Sequence, residues 1–210
     1  MIVIIDYDIG NTGSVVNALN KLGIPNQISS DPLVLIRAKG LILPGVGAAG
    51  QGMENLKKRK LDKVIIEEIK RGKPFLGICL GMQLLFENSE EGNVKCLGIL
   101  KGRVKKFKKE RKIPQIGWNE VRIKNAELRV ENKLFNKISD KSYFYFVNSY
   151  YCVPEDKSLI AGITKYGEKF ASIIVKNNII ATQFHPEKSG KLGFQLIQNI
   201  INYFTERNLC

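Results

Sequence analysis

Apolar positions follow two different rhythms along this 210-residue chain, and the change comes near residue 88. Before it, short wholly apolar runs alternate with stretches whose apolar residues recur every three or four positions. Residues 1–6 (MIVIID) form the first run, and Tyr7 to Gly13 follow as a glycine-containing loop. The helical stretch Ser14–Leu22 has Val15, Val16, Ala18, Leu19 and Leu22 as its apolar positions. A short strand near Asn26–Ser29 comes next, then a helical turn that Asp31 can cap, then a strand at Gly40–Leu43. Two helices are expected over Gly52–Lys58 and Leu61–Arg71. The second has Leu61, Val64, Ile65 and Ile69 at helical spacing, and Gly72 stops it. Phe75–Ile78 reads as a buried strand, with a helix, Leu80–Glu87, following directly. Such alternation predicts a parallel sheet with helices on both faces.

After Asn88 the pattern is strand after strand: Gly98–Lys106, Gln115–Ile123, Tyr143–Cys152, Leu159–Lys165, Phe170–Lys176 and Ile179–Phe184. Tyr166-Gly167-Glu168 and Asn177-Asn178 are hairpin signals, so this half should be largely antiparallel. A last helix, Leu192–Thr205, would lay Leu196, Ile197, Ile200, Ile201 and Phe204 on the sheet. The fold class expected is α/β: an open, mostly parallel central sheet flanked by helices, with an antiparallel β-rich second half, in one domain spanning residues 1–210. Gly10 and Gly13 have the wrong spacing for a dinucleotide fingerprint.

Composition narrows the class without naming a chemistry. Hydrophobic residues make up 44% and charged residues 25%, ordinary values for a globular chain. No apolar run approaches the roughly 20 residues that span a bilayer. Met1–Ile5 is too short for a secretion signal and lacks its basic lead-in. Cys79, Cys96, Cys152 and Cys210 form no Cys-x-x-Cys pair, so they read as reduced thiols of a cytoplasmic protein, not a disulfide frame or a zinc site. Net charge is +13, with basic runs at Lys57–Lys60 and Lys101–Lys112. Such runs can contact nucleic acid, but no nucleic-acid module surrounds either. A solvated face, or a face for an acidic partner or phosphorylated substrate, is the favoured reading, and neither nucleic acid nor membrane is expected as a partner.

The junction between Phe75–Ile78 and Leu80–Glu87 is a single residue, Cys79, with Gly77 and Gly81 two positions away on either side. A side chain at so sharp a turn is pushed out of the sheet and needs small neighbours. That is the arrangement of a nucleophile elbow, with cysteine in the serine position. A helix N-terminus would also favour thiolate over thiol. A small thiol buried in a core strand is the plain alternative. The chain holds one histidine, His185, in Gln183-Phe184-His185-Pro186-Glu187. If Cys79 has an imidazole base, it is this one. Residues two apart in an extended chain face the same side, so Glu187 can orient the ring, and Pro186 biases His185 toward extended geometry. The oxyanion formed on attack needs donors. The Leu80 backbone N–H is one, and the loop Pro44-Gly45-Val46-Gly47 offers a second through Val46 or Gly47.

The set Pro44-Gly45-Val46-Gly47, Gly77-Ile78-Cys79-Leu80-Gly81-Met82-Gln83 and Gln183-Phe184-His185-Pro186-Glu187 resembles the class I, triad-type glutamine amidotransferases. Within them, the chain is similar to the glutaminase subunits of imidazole glycerol phosphate synthases. That closer likeness rests on Ile4–Asn11, Pro114–Asn119, Tyr145–Tyr150 and Glu187-Lys188-Ser189. The resemblance implies a flavodoxin-like architecture and hydrolysis of L-glutamine to glutamate and ammonia, with Cys79 as nucleophile, His185 as proton shuttle and Glu187 as its partner. It implies a glutamine site made by Gly47, Gln83, Glu87, Ser149 and Tyr150. A (β/α)8-barrel cyclase would dock near Asn11, Trp118, Asn119, Tyr145, Asn148 and Lys188 and receive the ammonia. No metal or organic cofactor is implied. The chain departs from the family where histidine is usual and Asn148 stands, and where glycine is usual and Asp8 stands. Three other readings stay open on sequence: a paralogue delivering ammonia to sugars, a catalytically silent binding subunit, and a cysteine hydrolase of another type.

Overall fold

A computed structural model describes residues 1–108, 112–124 and 133–207. The first half runs β1 (Ile2–Ile5), α1 (Thr12–Lys21), β2 (Asn26–Ser29), α2 (Pro32–Arg37), β3 (Gly40–Leu43), α3 (Ala49–Lys58), α4 (Leu61–Lys70), β4 (Phe75–Ile78) and α5 (Leu80–Gln83). The second half has β5 (Asn88–Ser89), β6 (Val94–Lys95), β7 (Gly102–Lys106), β8 (Gln115–Ile123), β9 (Ser142–Asn148) and β10 (Tyr150–Pro154). It continues with β11 (Ile160–Tyr166), β12 (Glu168–Lys176) and β13 (Ile179–Thr182), and closes with α6 (Gly190–Arg207).

The main sheet has the order β2-β1-β3-β4-β13-β12-β10-β7-β5-β6, and β11, β8 and β9 branch from it. β2, β1, β3, β4 and β13 are all parallel; β13 to β12 and β12 to β10 are antiparallel. The expected change from parallel to antiparallel pairing is therefore present. Two pairings depart from it: β13 arrives by a hairpin from β12, yet lies parallel to β4, with Thr182 opposite Ile78, and the short β5 lies parallel to β7.

Both faces of the parallel strands are buried, which is why they are apolar throughout. On one face, Ile2, Ile4, Ile42, Leu76 and Ile180 pack against Val15 and Leu19 of α1 and Leu196, Ile200 and Phe204 of α6. On the other, Val3, Ile5, Leu41, Leu43 and Phe75 pack against Met53 and Leu56 of α3 and Leu61, Ile65 and Ile69 of α4. The alternation along β1 assigns its residues to the two cores by pleat alone.

Three elements differ from expectation. The helix after Cys79 is one turn, Leu80–Gln83, and does not reach Glu87. From Leu84 onward, the backbone N–H groups of Leu97, Gly98, Ile99 and Leu100 cap the freed carbonyls of Leu84, Phe86 and Leu85. The expected strand Tyr143–Cys152 is two strands that part at Ser149: β9 pairs with β8, whereas β10 pairs with β7 and β12. The strand expected from Gly98 begins at Gly102, in a conformation (φ 122°) reserved for glycine. Part of the second basic run lies outside the described residues.

Candidate active site

Cys79 has φ 53° and ψ −106°, a backbone state that only its surroundings can enforce. Its N–H donates to the Thr182 carbonyl at 2.7 Å, extending the β4–β13 ladder by one residue into the turn. A methyl group on Gly81 would collide with the Leu43 carbonyl oxygen, and one on Gly77 would lie 2.9 Å from the Gly81 carbonyl oxygen. The two glycines let three chain segments close on one point. A single turn carries little macrodipole, so the expected contribution of a longer helix falls away.

His185 lies three residues beyond β13, with φ −99° and ψ 92°, extended as the following proline requires. Glu187 is not on a continuing strand, because Pro186–Lys188 forms a 3-10 turn. The carboxylate reaches the ring all the same: His185 Nδ1 and Glu187 Oε1 are 2.8 Å apart, with both side chains at most 2% exposed. Nδ1 is thus engaged, and Nε2 is the nitrogen left for the thiol. Nε2 is buried and makes no closed hydrogen bond among the described residues. Burial works against a proton on this imidazole, but interaction with Cys79 and with Glu187 outweighs it and pushes the pKa up to about 10. Cys79 Sγ also lies 3.7 Å from the Val147 carbonyl oxygen and 3.7 Å from Gln183 Nε2.

Cys79 opens into a cavity of about 420 Å³ lined by Val46, Gly47, Gln83, Glu91, Asn148, Ser149 and Tyr150, among others. Gln83 is buried, and its amide donates to the Tyr150 carbonyl and to Gln183 Oε1, both at 3.1 Å. Glu87 is elsewhere. Its carboxylate accepts the Gly102 N–H at 2.9 Å and lines a separate cavity with Arg103, Glu155 and Lys157. A helix continued through Glu87 would have stacked it one turn above Gln83; because α5 stops, it turns away. The acid in the Cys79 cavity is Glu91, held by the Ala49 N–H at 2.7 Å. No periodicity marks Glu91; Gly92 at φ 69° and Asn93 at φ 51° after it mark a sharp turn there.

The donor side of the cavity is closed. The Leu80 N–H donates to the Gly45 carbonyl at 3.3 Å, so the backbone group expected to receive an oxyanion is already engaged. Val46 is exposed, and Gly47 has φ 112°. The loop rests on residues 7–10: a methyl on Gly10 would lie 3.3 Å from Gly45 Cα, and one on Gly47 would lie 3.8 Å from Ile9. Asp8 takes φ 59°, where glycine is at ease, and its carboxylate is held by Arg59.

The residues expected at a partner surface differ in their settings. Trp118 and Tyr145 sit opposite each other on β8 and β9, with ring centroids 6.2 Å apart. Trp118, Ile116 and Tyr143 are each more than half exposed. Lys188 is exposed, while Asn119 donates to the Lys165 carbonyl at 3.0 Å. Asn11 accepts from Ser14 Oγ at 2.7 Å. Asn148 is buried; its amide donates to the Tyr150 carbonyl at 2.9 Å, and its Oδ1 has no partner among the described residues. Also among the described residues, no three His, Cys, Asp or Glu side chains gather as metal ligands, and no helix is long and apolar enough to cross a membrane.

A family model described as glutamine amidotransferase class-I matches residues 3–202. The imidazole glycerol phosphate synthase subunit HisH of Dehalococcoides mccartyi (strain CBDB1) is 48% identical over 200 residues, covering 95% of each chain. The subunit of the same name from Aquifex aeolicus (strain VF5) is 48% identical over 199 residues, covering 94% of each. Among solved structures, a glutamine amidotransferase crystal structure superposes with a TM-score of 0.75 at 15% identity, covering 97% of this chain and 98% of that one. At that identity the likeness is one of fold.

Proposed function

The chain belongs to the class-I glutamine amidotransferases, and from that premise we propose that it is the glutaminase subunit of an imidazole glycerol phosphate synthase. It releases ammonia from L-glutamine for histidine biosynthesis. The observation that carries the chemistry is the buried His185–Glu187 pair, 2.8 Å apart, whose other ring nitrogen is buried and without a hydrogen-bond partner among the described residues, with Cys79 lining the cavity. In this reading the Cys79 sulfur attacks the side-chain amide carbon of glutamine. His185 gives its proton to the departing nitrogen, which leaves as ammonia, and water then cleaves the thioester with the ring as base. Glu187 keeps the ring turned with Nε2 toward the sulfur.

Glutamine fits the cavity by charge and by hydrogen bonds. Glu91 offers a carboxylate for the α-ammonium group, whereas Glu87, which the family resemblance counts among the glutamine-holding residues, lines a different cavity. Gly47 and the Ser149–Tyr150 segment border the same space. Gln83 spends its amide on the Tyr150 carbonyl, so its part is to hold that segment in place.

The closed donor side supports a switch. With the Gly45 carbonyl on the Leu80 N–H, a tetrahedral intermediate would find no donor. Rotation of the peptide between Gly45 and Val46 would release Leu80 and turn the Val46 N–H inward. A missing oxyanion donor costs about 10²- to 10³-fold in turnover. Docking of a barrel-shaped cyclase on the exposed face around Trp118 and Tyr143 would supply the push. The exit of ammonia past Asn148 toward that partner, and a cytoplasmic setting, belong to the same proposal.

The test is to mix the chain with a cyclase subunit and its ribulose-phosphate precursor, and to follow glutamate and imidazole product together. One glutamate per imidazole is expected, with little glutamate from the chain alone. Full glutaminase activity without the partner would refute the switch, and glutamate release with no imidazole product would refute the assignment of the acceptor.

A further inference from the structure

The residue beneath the closed loop is a tyrosine that the chemistry above does not use. Tyr7 is fully buried, and its hydroxyl donates to the Pro44 carbonyl oxygen at 2.7 Å. Its own carbonyl accepts from Asn55 Nδ2 at 2.8 Å, so α3 fixes the residue from behind. Space around it is tight. A methyl on Gly45 would collide with the hydroxyl, and one on Gly52 would lie 3.6 Å from the ring. Burial, and next the charge of Cys79, push the phenol's pKa up, so the oxygen keeps its proton and remains a donor.

Pro44 has no N–H to give and a fixed φ, so its carbonyl is the backbone hydrogen-bonding group immediately before Gly45. That carbonyl is fastened by the Tyr7 hydroxyl, whereas the next one, on Gly45, is held among the described residues by the 3.3 Å bond from Leu80. We propose that Tyr7 is the positioning residue of the oxyanion loop: its hydroxyl pins the Pro44 carbonyl, so that the peptide after Gly45 turns about a fixed point and its N–H lands beside that of Leu80. The proposal rests on the glutaminase reading given above. It explains why a buried hydroxyl is placed under a loop that could have rested on a plain aromatic ring. Without the pin, the loop can still leave Leu80, but its donor arrives at no single place.

Tyr7→Phe keeps the ring and removes the pin. With the partner cyclase and its ligand bound, kcat for glutamine hydrolysis should fall about tenfold, part of what a whole oxyanion donor is worth. The glutamine KM should stay within about twofold, because the loop's effect is confined to the developing oxyanion. Alkylation of Cys79 by iodoacetamide is the control. It forms a carbon–sulfur bond with loss of iodide at a saturated carbon and develops no oxyanion, so its rate should match wild type. An unchanged kcat overturns the proposal. So does a parallel change in kcat, KM and alkylation, which would make Tyr7 a packing residue only. Should Tyr7→Phe fail to fold, Asn55→Ala decides: a several-fold fall in kcat alone supports the pin, and an unchanged kcat overturns it. A wild-type chain that releases no glutamate with its partner overturns the underlying reading, a result separable from either variant's behaviour.

Discussion

The two walls of the Cys79 cavity are built on different terms. On one, Cys79 and His185 extend from adjacent strands in the middle of the sheet, locked by a ladder that continues to the Cys79 N–H. On the other, residues 44–47 lie in a loop with an exposed Val46, a glycine at φ 112° and one backbone bond to the elbow. The nucleophile wall is assembled before any partner arrives; the donor wall is occupied by its own carbonyl. In the proposed switch, reactivity toward glutamine is withheld by hydrogen bonding and not by dismantling the catalytic groups. Lifting such a block breaks one backbone hydrogen bond, worth about 0.5–1.5 kcal/mol net.

The largest effect should come from breaking the fixed wall. Cys79→Ala should abolish glutamine-dependent synthesis, while the partner's synthesis from free ammonium continues; loss of both activities would contradict separable sites. Glu187→Gln leaves the sulfur in place but loosens the ring, and kcat should fall about 10²-fold. The same variant has a spectroscopic reading, because one histidine gives one imidazole signal. In wild type that signal should keep its proton through neutral pH and titrate near 10, above the ordinary 6.5. Glu187 is among the groups that raise it, so the titration should move to lower pH in the variant. A signal already titrating near 6.5 in wild type would show that interaction with Cys79 and Glu187 does not outweigh burial of the ring. The smallest effect belongs to the movable wall. Gly47→Ala puts a side chain at φ 112°, at a cost of about 1–3 kcal/mol. The ratio of partner-stimulated to partner-free turnover should fall about tenfold, and an unchanged ratio would show that Gly47 takes no part in the rearrangement.

Much of this was legible from residue patterns because it is encoded locally. The apolar runs of β1, β3 and β4 and the helical spacing in α4 each reflect burial on known faces. The elbow announces itself because Gly77 and Gly81 are demanded by contacts within a few residues of Cys79, or with the neighbouring strand at Leu43. What was not legible depends on distant partners. Helix α5 ends where segment 97–100 folds back and takes the carbonyls of Leu84, Leu85 and Phe86, which a continued helix would have used. The run Tyr143–Tyr151 has continuous strand propensity, yet Ser149 is where it changes partners, from β8 on one side to β7 and β12 on the other. Glu91 could not be told from Glu87 by spacing, since its place is set by the Ala49 N–H, 42 residues earlier. The occupied Leu80 N–H leaves no trace in composition at all. His185 and Glu187 meet as expected, but through a 3-10 turn and not through strand alternation.

The return of β13 alongside β4 has a consequence for how the molecule yields under stress. Sulfur and imidazole are carried by neighbours at the centre of the sheet, flanked by β3 on one side and β12 on the other. Fraying at the β2 margin or at the short β5–β6 pair leaves their spacing untouched. The chemistry is therefore seated at the centre of the sheet, while the proposed switch resides in a loop that is anchored at Pro44 and exposed only from Val46 onward.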